Sequence, residues 1–176
     1  MTVILYPYTD VRKANQRDSL LALLQVQRIW GDCLQVVKMT DDTSYWRLLA
    51  KYWLREDIII IEQDIVPRPF SIYQLARCPL APCTYPYRLK SGHWALFDIG
   101  PNNETLFHDE ITEYSEASGL GLVKLTKTIQ TLIPLEVYDV EHYKWWYLDT
   151  FISKYLKMNS ILWHVHQPEV RHTTDD

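Results

Sequence analysis

The stretch from Asp57 to Asp64, "DIIIIEQD", limits what this chain can fold into more than any other: four consecutive isoleucines run straight into two acids, Glu62 and Asp64. An unbroken β-branched run suits a strand covered on both faces, because a strand with one wet face shows alternation instead. The run therefore predicts a central strand of a largely parallel sheet, with the two carboxylates at its exit.

The flanking sequence fits that reading. "TVILYPY" (Thr2 to Tyr8) predicts a first strand stopped by a polar loop, and "SLLALLQVQRIW" (Ser19 to Trp30) predicts a leucine-faced helix capped by Asp18 or Ser19. "CLQVVKM" suits a second strand. A second helix follows, capped by Asp42 or Thr43, with Trp46, Leu49, Ala50, Trp53 and Leu54 at the spacing of one buried face. Strand, helix, strand, helix, strand is the order of an α/β fold, and in open α/β sheets ligands bind at the carboxyl ends of the strands. Tyr8, Thr9 and Asp10 stand after strand one, Asp41 and Asp42 after strand two, and Glu62 and Asp64 after strand three.

At 176 residues, without a repeat or low-complexity linker, the chain reads as one domain. Its 18 basic and 22 acidic residues, net charge -4, argue against a nucleic-acid surface, which works by neutralising phosphates. Absence of any apolar run of about 20 residues argues against a transmembrane segment, and a soluble cytoplasmic protein is the expectation. Cys33, Cys78 and Cys83 fit a reducing compartment as unbridged structural residues. "CPLAPC" has the look of half a zinc site, but no second Cys or His pair follows it at a suitable spacing. Seven tryptophans and twelve tyrosines suit a cleft that stacks sugars or bases.

The middle, 68–103, is rich in proline and aromatics and predicts one short helix, "SIYQLARC", in a long irregular region; "GLGLVKLTKTIQTLI" predicts a strand entered through glycines, then a helical turn. In "EHYKWWYLDTFISKYLK" a stripe of Trp145, Leu148, Ile152, Tyr155 and Leu156 predicts a helix with Asp149 at its border, and an inward carboxylate needs a reason. Lys144 or Lys154 could pair with it. In "NSILWHVHQPEVRH", His164 and His166 share one strand face, with His172 nearby.

Strand-end carboxylates with a histidine from elsewhere suit Mn²⁺ or Mg²⁺ bridging phosphate oxygens, and a further carboxylate could act as a base. This arrangement resembles the GT-A fold glycosyltransferases, family-2-like, on three segments: "VILYPYTD" as the strand opening the nucleotide pocket, "IIIIEQDIVP" as the acidic metal motif, and "YLDTFISKYLKMNSILWHVHQPEVRH" as the downstream base, proline and histidine. Glu62 stands where that motif has Asp, and Leu148 where an acid precedes the base. The resemblance implies a metal-dependent, inverting transfer of sugar from a nucleotide-diphosphate donor, UDP- or GDP-type, to a hydroxyl acceptor. It implies Asp149 as base, Pro168 as the proline, and Glu62, Asp64 and His172 or His166 as metal ligands. Tyr8, Thr9, Asp10, Asp41 and Gln63 would contact the nucleotide, and His93 and Trp94, beside Arg88 and Lys90, the acceptor. Residues 1–67 would form the nucleotide and metal half and 68–176 the acceptor and catalytic half. Two other classes fit the same residues: a noncatalytic nucleotide-sugar or glycan binder of this fold, and a metal-dependent α/β hydrolase or nucleotidyltransferase.

Overall fold

The computed structural model describes residues 2–9, 24, 31–68, 70–102, 104–167 and 170–172. Leu24 is helical, but the rest of the helix expected over Ser19–Trp30 lies outside the described residues, as do Asp10 and Pro168.

Strand β1 (Thr2–Tyr8) runs parallel to β2 (Leu34–Lys38) on one side; helix α1 (Ser44–Tyr52) follows β2 and leads to β3 (Asp57–Ile61), parallel to β1 on the other side. The isoleucine run is β3, and its side chains divide between two cores. Ile58 and Ile60 pack with Leu49, Ile152 and Trp163, whereas Ile59 and Ile61 pack with Leu75, Tyr85 and Leu122. None of the four is more than 1% exposed. Each contributes about 1.5–3 kcal/mol of burial, so β3 holds both faces of the molecule to the sheet.

The chain continues through β4 (Ile65–Val66), α2 (Ser71–Arg77), β5 (Cys83–Thr84), β6 (Leu96–Ile99), β7 (Thr105–Phe107), β8 (Tyr114–Ser115), β9 (Ala117–Ser118), β10 (Leu122–Leu125), α3 (Lys127–Gln130), α4 (Val140–Tyr143), α5 (Leu148–Met158), β11 (Trp163–Val165) and β12 (Arg171–His172). The main sheet has the order β2-β1-β3-β10-β5-β11-β8. Five of its strands point one way; β10 and β8 run against their neighbours. Helices α1, α3 and α5 cover one face and α2 the other. The architecture is mixed α/β with a mostly parallel central sheet flanked by helices.

The middle segment is less irregular than its sequence predicts. It adds β5 to the main sheet and β6 to a small sheet, β7-β6-β9. Strands of two to four residues are too short to declare themselves by alternation. The glycines before β10 have a packing reason: a Cβ on Gly121 would lie 2.5 Å from Tyr87 Cε1 and 2.9 Å from Ile65 Cγ1. Tyr87 lies over this stretch, and only a residue without a side chain admits it.

Two helical expectations need correction. In α1 the buried positions are Ser44, Tyr45, Leu48 and Leu49; Trp53 lies past the helix end yet is 7% exposed, while Leu54 turns outward with φ +60°. Thr43 is the N-cap but its side chain makes no capping bond; Asp41 Oδ1 instead accepts from the Thr43 N–H at 2.9 Å, and Asp42 pairs with Lys144 at 2.9 Å. The helix expected from Glu141 onward breaks at Lys144, where φ is +54°, and restarts at Leu148. Leu148, Ile152 and Leu156 keep their buried stripe, but Trp145 leaves it and is about half exposed.

Candidate active site

The carboxyl ends of β1, β2 and β3 open on a cavity of about 390 Å³. Tyr8 and Thr9 line it from β1, Asp41 and Asp42 from the turn after β2, Glu62, Gln63 and Asp64 from the turn after β3, and Trp145 from the loop before α5.

The turn after β3 is held from several sides. The Glu62 N–H extends the β10 ladder by donating to the Gly121 carbonyl at 2.8 Å, and the Ile65 N–H donates to the Glu62 carbonyl at 3.0 Å. Gln63 clamps the end of β1: its Oε1 accepts from the Thr9 N–H at 2.6 Å and its Nε2 donates to Thr9 Oγ1 at 3.0 Å. The Glu62 side chain turns inward and accepts from the Tyr45 hydroxyl at 2.9 Å. His172 reaches Asp64 because β12 pairs with β4, placing His172 opposite Ile65; Nε2 then lies 3.0 Å from Asp64 Oδ2. Tyr87 stacks on the His172 ring, whose Nδ1 is buried with no partner.

Asp149 sits in the first turn of α5, more than eighty residues from Glu62 in sequence. Its Oδ1 accepts from the Thr150 N–H at 2.6 Å, and Lys144 pairs with Asp42 instead. Burial, opposed by the Thr150 bonds, raises the Asp149 carboxyl to about 6. Glu62 is raised further, to about 8, first by burial and then by the charges of Asp64 and Asp149. Those two acids sit close enough to Glu62 to disfavour its negative charge, and Tyr45 and Tyr87 feel the same group. Burial is the first cause of both carboxyl shifts, and carboxyls so perturbed at a cavity mark a candidate functional site.

Asp41 lines the cavity from a fixed position. Its carboxylate accepts from Thr43, Ser44 and Arg47, bonds that hold it well below the usual carboxylate range. His166, expected beside the strand-end acids, belongs to a different cluster: it adjoins Cys78 and His164 and stacks on Tyr85. The two residues expected at the acceptor part company. His93 is exposed and pairs with Asp109, while Trp94 is buried and lines a second cavity of about 240 Å³ with Arg68, Arg88, Arg171 and His172. His172 thus touches both the acidic cavity, through Asp64, and the arginine-lined one.

Sequence reasoning missed Trp145 and, of the second cavity's lining, Arg68 and Arg171, although it named Arg88, Trp94 and His172. Trp145 fits a helical stripe by spacing, and nothing local announces the left-handed break at Lys144, which aims the ring at the cavity instead.

No protein-family model matches this chain, and no curated protein matches it by sequence. Solved structures do. The crystal structure of A197 from STIV superposes with a TM-score of 0.64 at 16% identity, covering 99% of this chain and 86% of that one. A glycosyltransferase involved in the glycosylation of the major capsid of PBCV-1 matches with a TM-score of 0.47 at 10% identity, over 99% of this chain and 94% of its own. At such identities the likeness to A197 speaks for the fold alone: this is a mixed α/β protein that shares the architecture of A197. No helix among the described residues is long and apolar enough to cross a membrane.

Proposed function

We propose that this protein is a metal-dependent glycosyltransferase that moves a sugar from a nucleoside diphosphate donor to a hydroxyl acceptor. The observation that carries the reading is the pairing of Asp64, at the exit of β3, with His172 from the far end of the described chain, 3.0 Å apart, beside Glu62, whose carboxyl is raised by burial and by the charges of Asp64 and Asp149. Such crowding costs stability unless a cation or a substrate proton relieves it.

Asp64 and His172 would hold a hard divalent ion, Mn²⁺ or Mg²⁺, while the Glu62 carboxyl, bonded to Tyr45, stands as a neighbour. Asp64 Oδ2 and His172 Nε2 are 3.0 Å apart. Bound there, the ion would screen the donor diphosphate and stabilise it as a leaving group.

The protein's own groups would do the rest. Trp145, at the mouth of the cavity, offers a ring for the base or sugar to stack on. Gln63 and Thr9, tied to one another, would present the β1 end to the nucleotide. Asp149 would accept the proton of the acceptor hydroxyl as its oxygen bonds to the anomeric carbon and the bond to the donor phosphate breaks. Its raised value, about 6, makes it a usable base near neutral pH. Attack from the side opposite the leaving group inverts the anomeric centre. The arginine-lined cavity beside His172 would favour an acceptor carrying negative charge near its hydroxyl.

Calorimetry with UDP and GDP, with and without Mn²⁺, followed by assay of nucleoside diphosphate release from a sugar donor, tests the reading. Metal-dependent binding that Asp64→Ala abolishes, in a variant with unchanged circular dichroism, is the expected result. Binding indifferent to metal, without turnover, would make the protein a binder. Release of inorganic phosphate or pyrophosphate would make it a hydrolase or nucleotidyltransferase.

A further inference from the structure

Away from the acidic cavity, the sheet gathers a group of different chemistry. Cys78 ends α2; His164 lies in β11, opposite Cys83 of β5 in register; and His166 is two residues further, on the same face. Lys124, on the other side of Cys83, reaches across to donate to the Ala76 and Cys78 carbonyls, both at 2.9 Å, which fixes the end of α2 over this part of the sheet. One ligand atom each from Cys78, His164 and His166 lies within 4.8 Å of the others, the one group of three or more His, Cys, Asp or Glu so gathered among the described residues.

We propose that Cys78, His164 and His166 form a transition-metal site that takes Zn²⁺, separate from the acidic site and independent of the activity proposed for it. Cys78 Sγ is 3.5 Å from His164 Nδ1. In a tetrahedron with Zn–S of about 2.3 Å and Zn–N of about 2.0–2.1 Å, a sulfur and a nitrogen stand about 3.6 Å apart, so this pair is already spaced as neighbouring ligands.

A thiol donating to an imidazole would account for that contact alone. It would leave His166 unexplained, because its Nε2 is buried without a hydrogen-bond partner and the ring lies against the other two groups. A buried polar atom without a partner costs about 1–3 kcal/mol, and a ligand shared by the cluster removes the reason for the cost.

Both rings are packed against tyrosines, which limits how they can turn. Tyr85 stacks on His166 with centroids 5.0 Å apart, and Tyr114 lies tilted against His164 at 5.7 Å.

One thiolate and two imidazoles select a borderline-soft ion, whereas carboxylates suit Mn²⁺ or Mg²⁺, so the two sites would sort their ions by ligand chemistry. Three protein ligands leave a fourth position to water. Since Cys78 and His164 are 86 residues apart in sequence, the ion would staple the end of α2 to β11 and stabilise the folded chain as any ligand of the native state does.

The test uses the whole wild-type chain: zinc content as purified, then titration of chelator-treated protein with Co²⁺, followed by absorption. Expected are one equivalent of zinc or of cobalt uptake, a near-ultraviolet thiolate-to-cobalt band, visible bands of tetrahedral intensity, and their displacement by Zn²⁺ but not by Mn²⁺. Cys78→Ser should lose the thiolate band, and His166→Gln should weaken uptake at least tenfold without relying on the cysteine. Asp64→Ala should keep the full spectrum, so a failure of the proposed transfer activity leaves this site intact. Folded wild-type protein that carries no zinc and develops no thiolate-to-cobalt band overturns the proposal, as does a band unchanged in Cys78→Ser.

Discussion

Trp145 precedes α5 and is about half exposed, whereas Asp149, in its first turn, is partly buried. Replacing Trp145 with alanine removes a ring but no packed core, so the fold should persist. Nucleoside diphosphate binding, read by calorimetry, should weaken by about 1–3 kcal/mol, the usual worth of one base stacked on an aromatic ring. Asp149→Asn keeps the shape and the contact with the Thr150 N–H but cannot take a proton. Turnover should fall by about two to four orders of magnitude while donor affinity changes little. In the wild type kcat/KM should rise with pH through about 6, as the carboxyl held at that value ionises. A pH profile without that rising limb would remove Asp149 as the base.

At the scale of elements, β3 and β10 carry the architecture. Because Ile59 and Ile60 face different cores and both are fully buried, Ile59→Ala and Ile60→Ala should each cost about 2–5 kcal/mol in denaturant unfolding. A half-buried strand would make one of the two cheap. Gly121→Ala should be costly although it adds a single carbon, since Tyr87 and Ile65 already occupy its place. The variant should melt lower and shift Tyr87, and with it His172, which stacks on that ring. Heat unfolding together with Mn²⁺ affinity reads both effects.

For the whole molecule the acidic site predicts an unusual pH dependence. Glu62 is raised from an ordinary value of 4.5 to about 8, so below its folded value the native chain keeps a proton that the unfolded chain has lost. Where the folded state binds more protons, stability falls as pH rises. His166, lowered to about 4, works the other way, but only up to its ordinary value of 6.5. Between about pH 6.5 and about pH 8 Glu62 acts alone among these, and urea midpoints should decline across that window. Glu62→Gln should flatten the decline, and Mn²⁺ should do so in the wild type by stabilising the carboxylate.

The sequence by itself determined the strands β1, β2 and β3 with helix α1 before the third, the burial of β3 on both faces and the acids at its exit. Those follow from local pattern: an unbroken apolar run and helical spacing state how a segment is covered. Tertiary structure alone decided which distant groups meet. The antiparallel β10 at the sheet's centre, the break at Lys144 that turns Trp145 to the cavity, and the pairing of β12 with β4 that carries His172 to Asp64 depend on contacts between remote segments. Cys78 shows the difference most plainly. "CPLAPC" has no partner at a metal-site spacing along the chain, because its partners, His164 and His166, arrive by sheet register, which linear spacing does not encode.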